Sequence, residues 1–344
     1  MRPIFVAASS VALFLGLGVI SLLVGAREVP LGALLDAAPQ AFGHALFPHD
    51  SAPEAKSDPL VLLLATHRIP RTLLAVIAGL ALGGAGALMQ GYARNPLADP
   101  GILGVNSGAA AGVAIAVAFG MVSTAAQYIV PALIGATLST LLLFGLVSLG
   151  RLASSPFALI LGGMAMSTAF MAFVNVLTLR NDAVLSALVS WSTGSLAGRD
   201  ISAVYTTVPM LVCGLLIAVW LAKALDLLSL GEEMAASLGI NVRFYQAVGM
   251  LNIALLSAVA VAAAGPVGFV GLAAPHIVRG LTGPDHRILI PLSVLIGGLM
   301  ALIADVIGRS VVPGGELSMG TVLAMIGVPI FIWLIKRGKV TGKL

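Results

Sequence analysis

Charged residues are scarce in this chain of 344 residues: aspartate, glutamate, lysine and arginine together make up 9%, and aromatic residues make up 6%. So low a charged fraction excludes an ordinary soluble domain, in which about 25% of residues are charged. There is one cysteine, Cys213, so an internal disulfide is excluded and the redox compartment is left open. The net charge of +4 is too small to indicate a nucleic-acid partner.

The sequence also lacks the motifs of common catalytic and cofactor sites. No GxxxxGK[ST] occurs, so the glycine run at 83–86 is interpreted as packing material and not as a phosphate-binding loop. There is no HExxH motif, no Cys/His cluster and no pattern of haem ligands. We therefore expect no enzyme activity in this chain, and no metal or cofactor bound by its own residues.

Long apolar runs dominate what is present, since 59% of the residues are hydrophobic and the mean hydropathy is +1.08. A transmembrane helix needs roughly 20 apolar residues. Runs of this kind, the eighth of them short, fall at about 4–25, 69–90, 103–121, 127–149, 157–179, 202–222, 244–264, 267–281, 289–308 and 318–335. They predict an all-α polytopic membrane protein with about ten spans, in which residues 1–344 form a single transmembrane domain. The first run also fits a signal peptide, but its length favours a retained helix.

The distribution of basic residues predicts the orientation of the chain. An even number of spans places both termini on one side of the membrane, and the tail carries Lys336, Arg337, Lys339 and Lys343. Because positive charge marks cytoplasmic loops, we expect both termini in the cytoplasm. Several basic residues remain outside, at helix mouths, where an acidic partner could meet them.

The second span contains small residues at every fourth position. Such a stripe lets two helices approach closely in a membrane, although it also arises by coincidence in a chain rich in glycine and alanine. Its members are Ala75, Gly79, Gly83, Ala87 and Gly91.

Two turns on the predicted cytoplasmic side are candidates for a gate. Asn95-Pro96 and Asp99-Pro100-Gly101 forbid a continuous helix, and irregular backbone at membrane depth must be buried in protein or line a cavity. The second turn, GRLASSP at 150–156, carries Ser154 and Ser155. These serines either line a pore mouth or cap the fifth span before Pro156, and the physical argument favours the cap.

The passage 223–243, KALDLLSLGEEMAASLGINVR, lies in the cytoplasm between spans six and seven in this topology. Ser229 and Glu232 fit a capping box, which predicts a helix of about two turns that starts near Leu230 and stops at Gly239. Leu230, Met234 and Leu238 share one apolar face. The helix either fits a groove on a soluble partner or folds back on its own bundle.

Two polar residues in the spans need an interpretation. His276 follows Pro275 near a helix end and is interpreted as a structural histidine in preference to a ligand. Asp305 is an acid inside a span, which makes it a functional candidate. With Arg309 one turn later, an i, i+4 ion pair near the outer interface is the simpler interpretation.

Four patterned stretches follow one another from Arg68 to the tail. They are RIPR with AGLALGGAGALMQGYARNPLADPGILGVNSGA, then LGEEMAASLGINV, then GPVGFVGLAAPHIVR with GPDHR, and PGGELSMGTVLAMIGVPIFIWLIKR. Together they resemble the FecCD family, the permease subunits of type II ABC importers for iron chelates and vitamin B12. The resemblance implies ten helices per subunit and a homodimer with the pathway on its two-fold axis. It also implies two cytoplasmic ATPase subunits, which would bind ATP and Mg, and a periplasmic substrate-binding protein, in a bacterial inner membrane.

The resemblance also implies roles for particular residues. A coupling helix seated in the ATPase would comprise Leu230, Gly231, Glu232, Glu233, Met234, Ala235, Leu238 and Gly239. Outer arginines that receive acidic residues of the binding protein would be Arg68, Arg71 and Arg309. Positions of an inner gate would be Asn95, Leu97, Ser154 and Ser155, of which the serines match less well because their loop differs.

We therefore expect a passive conduit that is driven by partner ATPases and carries an iron chelate, either a ferric siderophore or haem. A corrinoid importer of the same family is the alternative cargo class. An ion-coupled secondary transporter that uses Asp305 is the alternative from another class.

Overall fold

The computed structural model describes residues 3–25, 29–47, 58–149, 156–312 and 315–336, and this part of the chain is helical with no strand. The helices are α1 (Pro3–Leu23), α2 (Leu31–Leu46), α3 (Pro59–Leu63), α4 (Ile69–Ala93), α5 (Val105–Ala118), α6 (Ile129–Leu149), α7 (Pro156–Arg180), α8 (Asp182–Ser192), α9 (Ile201–Ser229), α10 (Glu232–Ser237), α11 (Val242–Ala264), α12 (Val270–Thr282), α13 (His286–Ser310) and α14 (Met319–Lys336). A π-helical turn, Leu64–Arg68, joins α3 to α4.

Each of the ten predicted spans is occupied by a helix, namely α1, α4 to α7, α9 and α11 to α14. Seven helical segments of the described chain are long and apolar enough to cross a membrane. Val105–Ala118 and Met319–Pro329 are apolar but shorter, and α12 has 13 residues. The additional helix α2 lies between the first and second predicted spans, and α8 lies between the fifth and sixth.

Helix α4 is the centre of the bundle, because it contacts α13, α11, α9 and α12. In contrast, α1 and α7 are mostly exposed on the isolated chain. At the Arg68 end of α4, the hydroxyl groups of Ser21 and Thr72 are hydrogen-bonded at 2.7 Å, which ties α1 to α4. A shared hydrogen bond between apolar helices fixes their relative rotation.

The small-residue stripe of α4 faces α13. A Cβ atom on Gly79 would lie 2.4 Å from the carbonyl oxygen of Gly297, and one on Gly83 would lie 2.1 Å from that of Ser293. Further along, a Cβ atom on Gly91 would lie 2.9 Å from Nε2 of His286. Contacts this short leave no room for a side chain, so the two backbones touch directly at Gly79 and Gly83.

A second close approach lies on another face of α4. A Cβ atom on Gly86 would lie 1.8 Å from the carbonyl oxygen of Gly271, at the start of α12. The four-residue spacing did not identify Gly86, because this glycine lies outside the stripe. Helix α4 therefore holds α12 and α13 on two separate faces by the same device.

Candidate functional site

Helix α10 is a short helix that projects between α9 and α11. It begins after Gly231, whose φ of +118° admits glycine far more readily than other residues. It ends in a Schellman motif: the N–H of Gly239 donates to the carbonyl of Ala236, and the N–H of Ile240 donates to that of Ala235. Gly239 has a φ of +84°, so it takes the left-handed conformation expected of a helix stop.

The predicted capping box is wrong. Ser229 is the last residue of α9, which continues past residue 222 because Leu225 and Leu228 are buried in the bundle. The hydroxyl of Ser229 donates to the carbonyl of Asp226 at 2.6 Å, and the N-cap of the next helix is Gly231, with no side-chain cap hydrogen bond. Helix α10 therefore starts at Glu232 rather than near Leu230 and has six residues, fewer than the two turns expected.

The surface of α10 is apolar where the sequence indicated. Leu230, Met234 and Leu238 are 63%, 54% and 55% exposed, whereas Ala235 is fully buried against the bundle. The carboxylate of Glu232 accepts a hydrogen bond of 2.9 Å from Gln246 of α11, and Glu233 is exposed. Three large apolar side chains, one on α10 and one beyond each of its ends, are thus exposed together and form an apolar surface of the kind that can fit a groove on a partner.

The inner turn, Arg94–Gly104, connects α4 to α5 and is irregular, as its prolines predicted. Arg94 is left-handed with a φ of +47° and ends α4. The side-chain oxygen of Asn95 accepts a hydrogen bond of 2.9 Å from the N–H of Leu97. Asp99 then accepts one of 2.7 Å from the N–H of Gly101, in a short 3-10 turn. Burial raises the pKa of Asp99, and the bond from Gly101 partly offsets this rise.

The other two predicted gate residues, Ser154 and Ser155, lie outside the described residues. Whether they gate or cap stays a prediction.

A cavity of about 170 Å³ lies beside the inner turn, lined by Leu97, α12, α13 and α14. Its lining is almost wholly apolar and includes His276. Phe269 has a φ of +75°, and its ring packs on Gly327, where a Cβ atom would lie 2.3 Å from the ring. In the described residues no group of three histidine, cysteine or acidic residues is placed to hold a metal ion. The cavity therefore presents an apolar surface rather than a coordination site.

The arginine cluster at the opposite end of α4 consists of Arg68, Arg71, Asp305, Arg309 and Glu316. Arg71 is bonded to Asp305 at 2.9 Å and to Glu316 at 2.6 Å. Arg309 is paired with Asp305 at 2.8 Å, the i, i+4 pair that the sequence indicated. The side chain of Arg68 donates to the carbonyl of Leu22, in the last turn of α1.

Burial changes the interpretation of this cluster. Arg68 and Arg309 are each 6% exposed and Arg71 is 12% exposed, so their guanidinium groups face inward in this conformation. Docking of a partner on these arginines stays a prediction, and the structure gives them an internal role as well. Asp305 is fully buried between two guanidinium groups, an arrangement that fits an ion-pair network better than a site for a transported ion.

Sequence reasoning missed the polar contacts that join the helices at the α10 end of the bundle. Asp226 of α9 is bonded to Nδ1 of His286 at 2.8 Å. The hydroxyl of Tyr92 donates to the carbonyl of Tyr245 at 2.8 Å, and Arg94 donates to the carbonyl of Leu228 at 2.8 Å. The partners are more than 50 residues apart in the sequence, so no local pattern could pair them.

Comparisons with known proteins support the resemblance. The family model described as the FecCD transport family matches residues 13–337. The ferric enterobactin transport system permease protein FepD of Escherichia coli (strain K12) is 38% identical over 319 residues, 92% of this chain and 91% of that protein. The hemin transport system permease protein HmuU of Yersinia pestis is 38% identical over 275 residues, 78% of this chain and 82% of that one.

A solved structure has the same architecture. It is an inward-facing conformation of a putative metal-chelate type ABC transporter, with 29% identity and a TM-score of 0.78, and the match covers 98% of this chain and 100% of that one. The family inferred from the four patterned stretches is thus confirmed. The chain belongs to the FecCD transport family.

Proposed function

We propose that this chain is the permease subunit of an ATP-driven importer that carries an iron chelate into the cytoplasm. The observation that carries the proposal is the match to the FecCD transport family along residues 13–337. Relatives in this family are named for ferric enterobactin, ferric dicitrate and hemin, which favours an iron chelate over a corrinoid. The apolar lining of the cavity supports a conduit that holds its cargo weakly.

Helix α10 is the proposed contact with the ATPase subunits that would bind ATP and Mg. Leu230, Met234 and Leu238 expose three large apolar side chains within nine residues. Exposure of such a patch to water is unfavourable, which indicates that a partner covers it. A partner groove would bury this face when the complex assembles. In this proposal α10 is cytoplasmic, the ten helices all span the bacterial inner membrane, and both termini are cytoplasmic.

A second copy of the chain is the proposed partner within the membrane. Helix α7 is largely exposed on the isolated chain, with Leu161, Met164 and Phe173 among its outward side chains. Lipid would cover part of such a helix, and a homodimer would cover the rest around a shared pathway. The inner turn, with Asn95 and Leu97, would close the cytoplasmic mouth of that pathway.

The arginine cluster is the proposed docking site for a periplasmic substrate-binding protein. Glu316 is 38% exposed and pairs with Arg71, so this part of the cluster reaches the surface. An acidic residue of the binding protein would replace Glu316 as the partner of Arg71. Contact with Arg68 or Arg309 would require these residues to leave their internal partners.

The test of the coupling proposal replaces Met234 by Glu in a reconstituted complex of permease, ATPase subunits and binding protein. A charge on the apolar face of α10 is expected to reduce co-purification of the ATPase and to abolish ATP-dependent uptake. Met121→Glu is the matched control, because Met121 is 66% exposed at the other end of the bundle. If Met234→Glu retained both the ATPase and uptake, α10 would not be the coupling helix.

Cargo is tested in the same vesicles with ferric enterobactin, ferric citrate, haemin and cyanocobalamin. Uptake of one or more of the iron compounds is expected. Uptake of cyanocobalamin alone would replace the iron-chelate proposal by the corrinoid alternative, and uptake by the permease alone under an ion gradient would refute an ATP-driven mechanism.

A further inference from the structure

We propose that Arg94 is the link through which movement of α10 reaches the inner turn. This inference rests on the proposed function, in which α10 contacts the ATPase and the inner turn is the gate. It assigns to one side chain a positioning role between two elements that are distant in sequence.

Arg94 has an unusual backbone conformation. Its φ of +47° and ψ of +34° lie in the left-handed region, which a residue with a Cβ atom adopts only with steric strain. Among the described residues, Arg94 and Phe269 are the non-glycine residues with positive φ. Glycine satisfies a left-handed helix end without strain, as Gly239 does at the end of α10. An arginine at this position is therefore explained by what its side chain contacts.

The side chain of Arg94 reaches the entrance of α10. Its Nη2 donates a hydrogen bond of 2.8 Å to the carbonyl oxygen of Leu228, in the last turn of α9. The same oxygen accepts a bond of 3.1 Å from the N–H of Gly231, the residue directly before α10. One oxygen atom therefore holds both the start of α10 and the guanidinium group of Arg94. A cation at the carbonyl end of α9 is also favoured by the helix dipole.

On its other side, Arg94 is continuous with the gate residues. Asn95 follows it directly, and the side-chain oxygen of Asn95 fixes the N–H of Leu97, which lines the cavity. Only Asn95 and Pro96 lie between Arg94 and Leu97 in the chain, and Pro96 also lines the cavity. Two other polar contacts at this end, Tyr92 with Tyr245 and Asp226 with His286, join helix to helix and involve no residue of the inner turn.

The geometry gives a direct mechanical path. When the partner ATPase displaces α10, the Gly231 end moves and the carbonyl of Leu228 moves with it. The guanidinium group of Arg94 follows this carbonyl, and the left-handed residue acts as the pivot about which Asn95 and Leu97 turn. Without the side chain, α10 would still be seated in the ATPase, but its movement would no longer reach Leu97.

The experiment compares Arg94→Gly, Arg94→Lys and Arg243→Ala in the reconstituted complex. Glycine preserves the left-handed backbone and removes only the side chain, so the fold is retained. Arg243 is an exposed arginine at the start of α11, and its replacement controls for the loss of a cytoplasmic charge. Assembly, ATP hydrolysis, uptake and melting temperature are measured for each variant.

Arg94→Gly is expected to assemble and hydrolyse ATP like the parent while uptake per ATP falls about tenfold or more, as the loss of one hydrogen bond from a charged donor implies. Arg94→Lys is expected to keep part of the parent's uptake, and Arg243→Ala is expected to keep all of it. Full uptake by Arg94→Gly would overturn the inference. So would dissociation of the ATPase from this variant, which would make Arg94 part of the docking surface.

A labelling readout separates the two proposals. In a Cys213→Ser background, the Leu97→Cys variant is probed with a membrane-impermeant maleimide with and without ATP. We expect ATP to change the labelling rate in the parent and not in Arg94→Gly. An ATP-dependent change in both would refute the link through Arg94, whereas the coupling proposal for α10 is judged separately by Met234→Glu.

Discussion

Replacing Gly83 by alanine tests whether direct backbone contact between α4 and α13 holds the bundle together. The new Cβ atom would lie 2.1 Å from the carbonyl oxygen of Ser293, whereas carbon and oxygen atoms ordinarily approach to about 3.3 Å. The obstacle is backbone, which cannot turn aside as a side chain can, so α4 and α13 would have to separate by about 1 Å. Overpacking of this kind costs about 1–3 kcal/mol, against roughly 1 kcal/mol that alanine gains over glycine inside a helix.

Gly84 provides the matched control on the same helix. A Cβ atom there would lie 3.3 Å from side-chain methyl groups of Leu215, Leu256 and Val294, which can shift by a few tenths of an ångström. Gly84→Ala is therefore expected to be neutral or slightly stabilising, and Gly83→Ala to be destabilising. The measurement is the melting temperature of each purified variant in the same detergent, together with uptake in vesicles. If the two variants had the same melting temperature, close packing of α4 on α13 would not be what stabilises the bundle.

The remaining predictions concern three acidic positions. Asp305→Asn is expected to lower stability by about 3–5 kcal/mol, because it removes the carboxylate that pairs with buried Arg309, whereas Glu316→Gln removes a half-exposed partner worth less than about 1 kcal/mol. Equal melting temperatures for these two variants would contradict the ion-pair network. Because burial raises the pKa of Asp99, its contribution to stability is fully present below its ordinary pKa of about 4 and is lost as pH rises through the raised pKa. Asp99→Asn keeps an oxygen acceptor for the N–H of Gly101, so we expect the melting temperature of this variant to lose the decline with rising pH. Parallel profiles of melting temperature against pH for variant and parent would refute the burial argument.

Local sequence was informative wherever a single segment carries its own physical reason. The length of an apolar run sets the length of a helix that can lie in hydrocarbon, so each of the ten predicted runs is occupied by a helix. The irregular inner turn follows from Pro96 and Pro100, which exclude a continuous helix. Gly239 stops α10 because a left-handed residue is needed there and glycine adopts it without strain.

Local signals failed where a neighbouring element competed for the same residue. Ser229 and Glu232 have the spacing of a capping box, but α9 continues through Ser229 since its buried face packs on the bundle. The arginines at the helix mouths were expected at the surface. Arg71 turns inward because Asp305, on a helix more than 200 residues later, supplies a buried carboxylate for it.

The sequence by itself determined a helical membrane protein of the FecCD transport family, the places of its helices, and the short apolar helix between α9 and α11. Tertiary structure alone decided that the stripe of α4 meets α13, that Arg71 pairs with Asp305 and Glu316, and that Arg94 contacts Leu228 across 134 positions of sequence. The physical reason is that helix formation depends on neighbours within a few residues, whereas hydrogen bonds and backbone contacts between helices depend on which faces the folded bundle brings together.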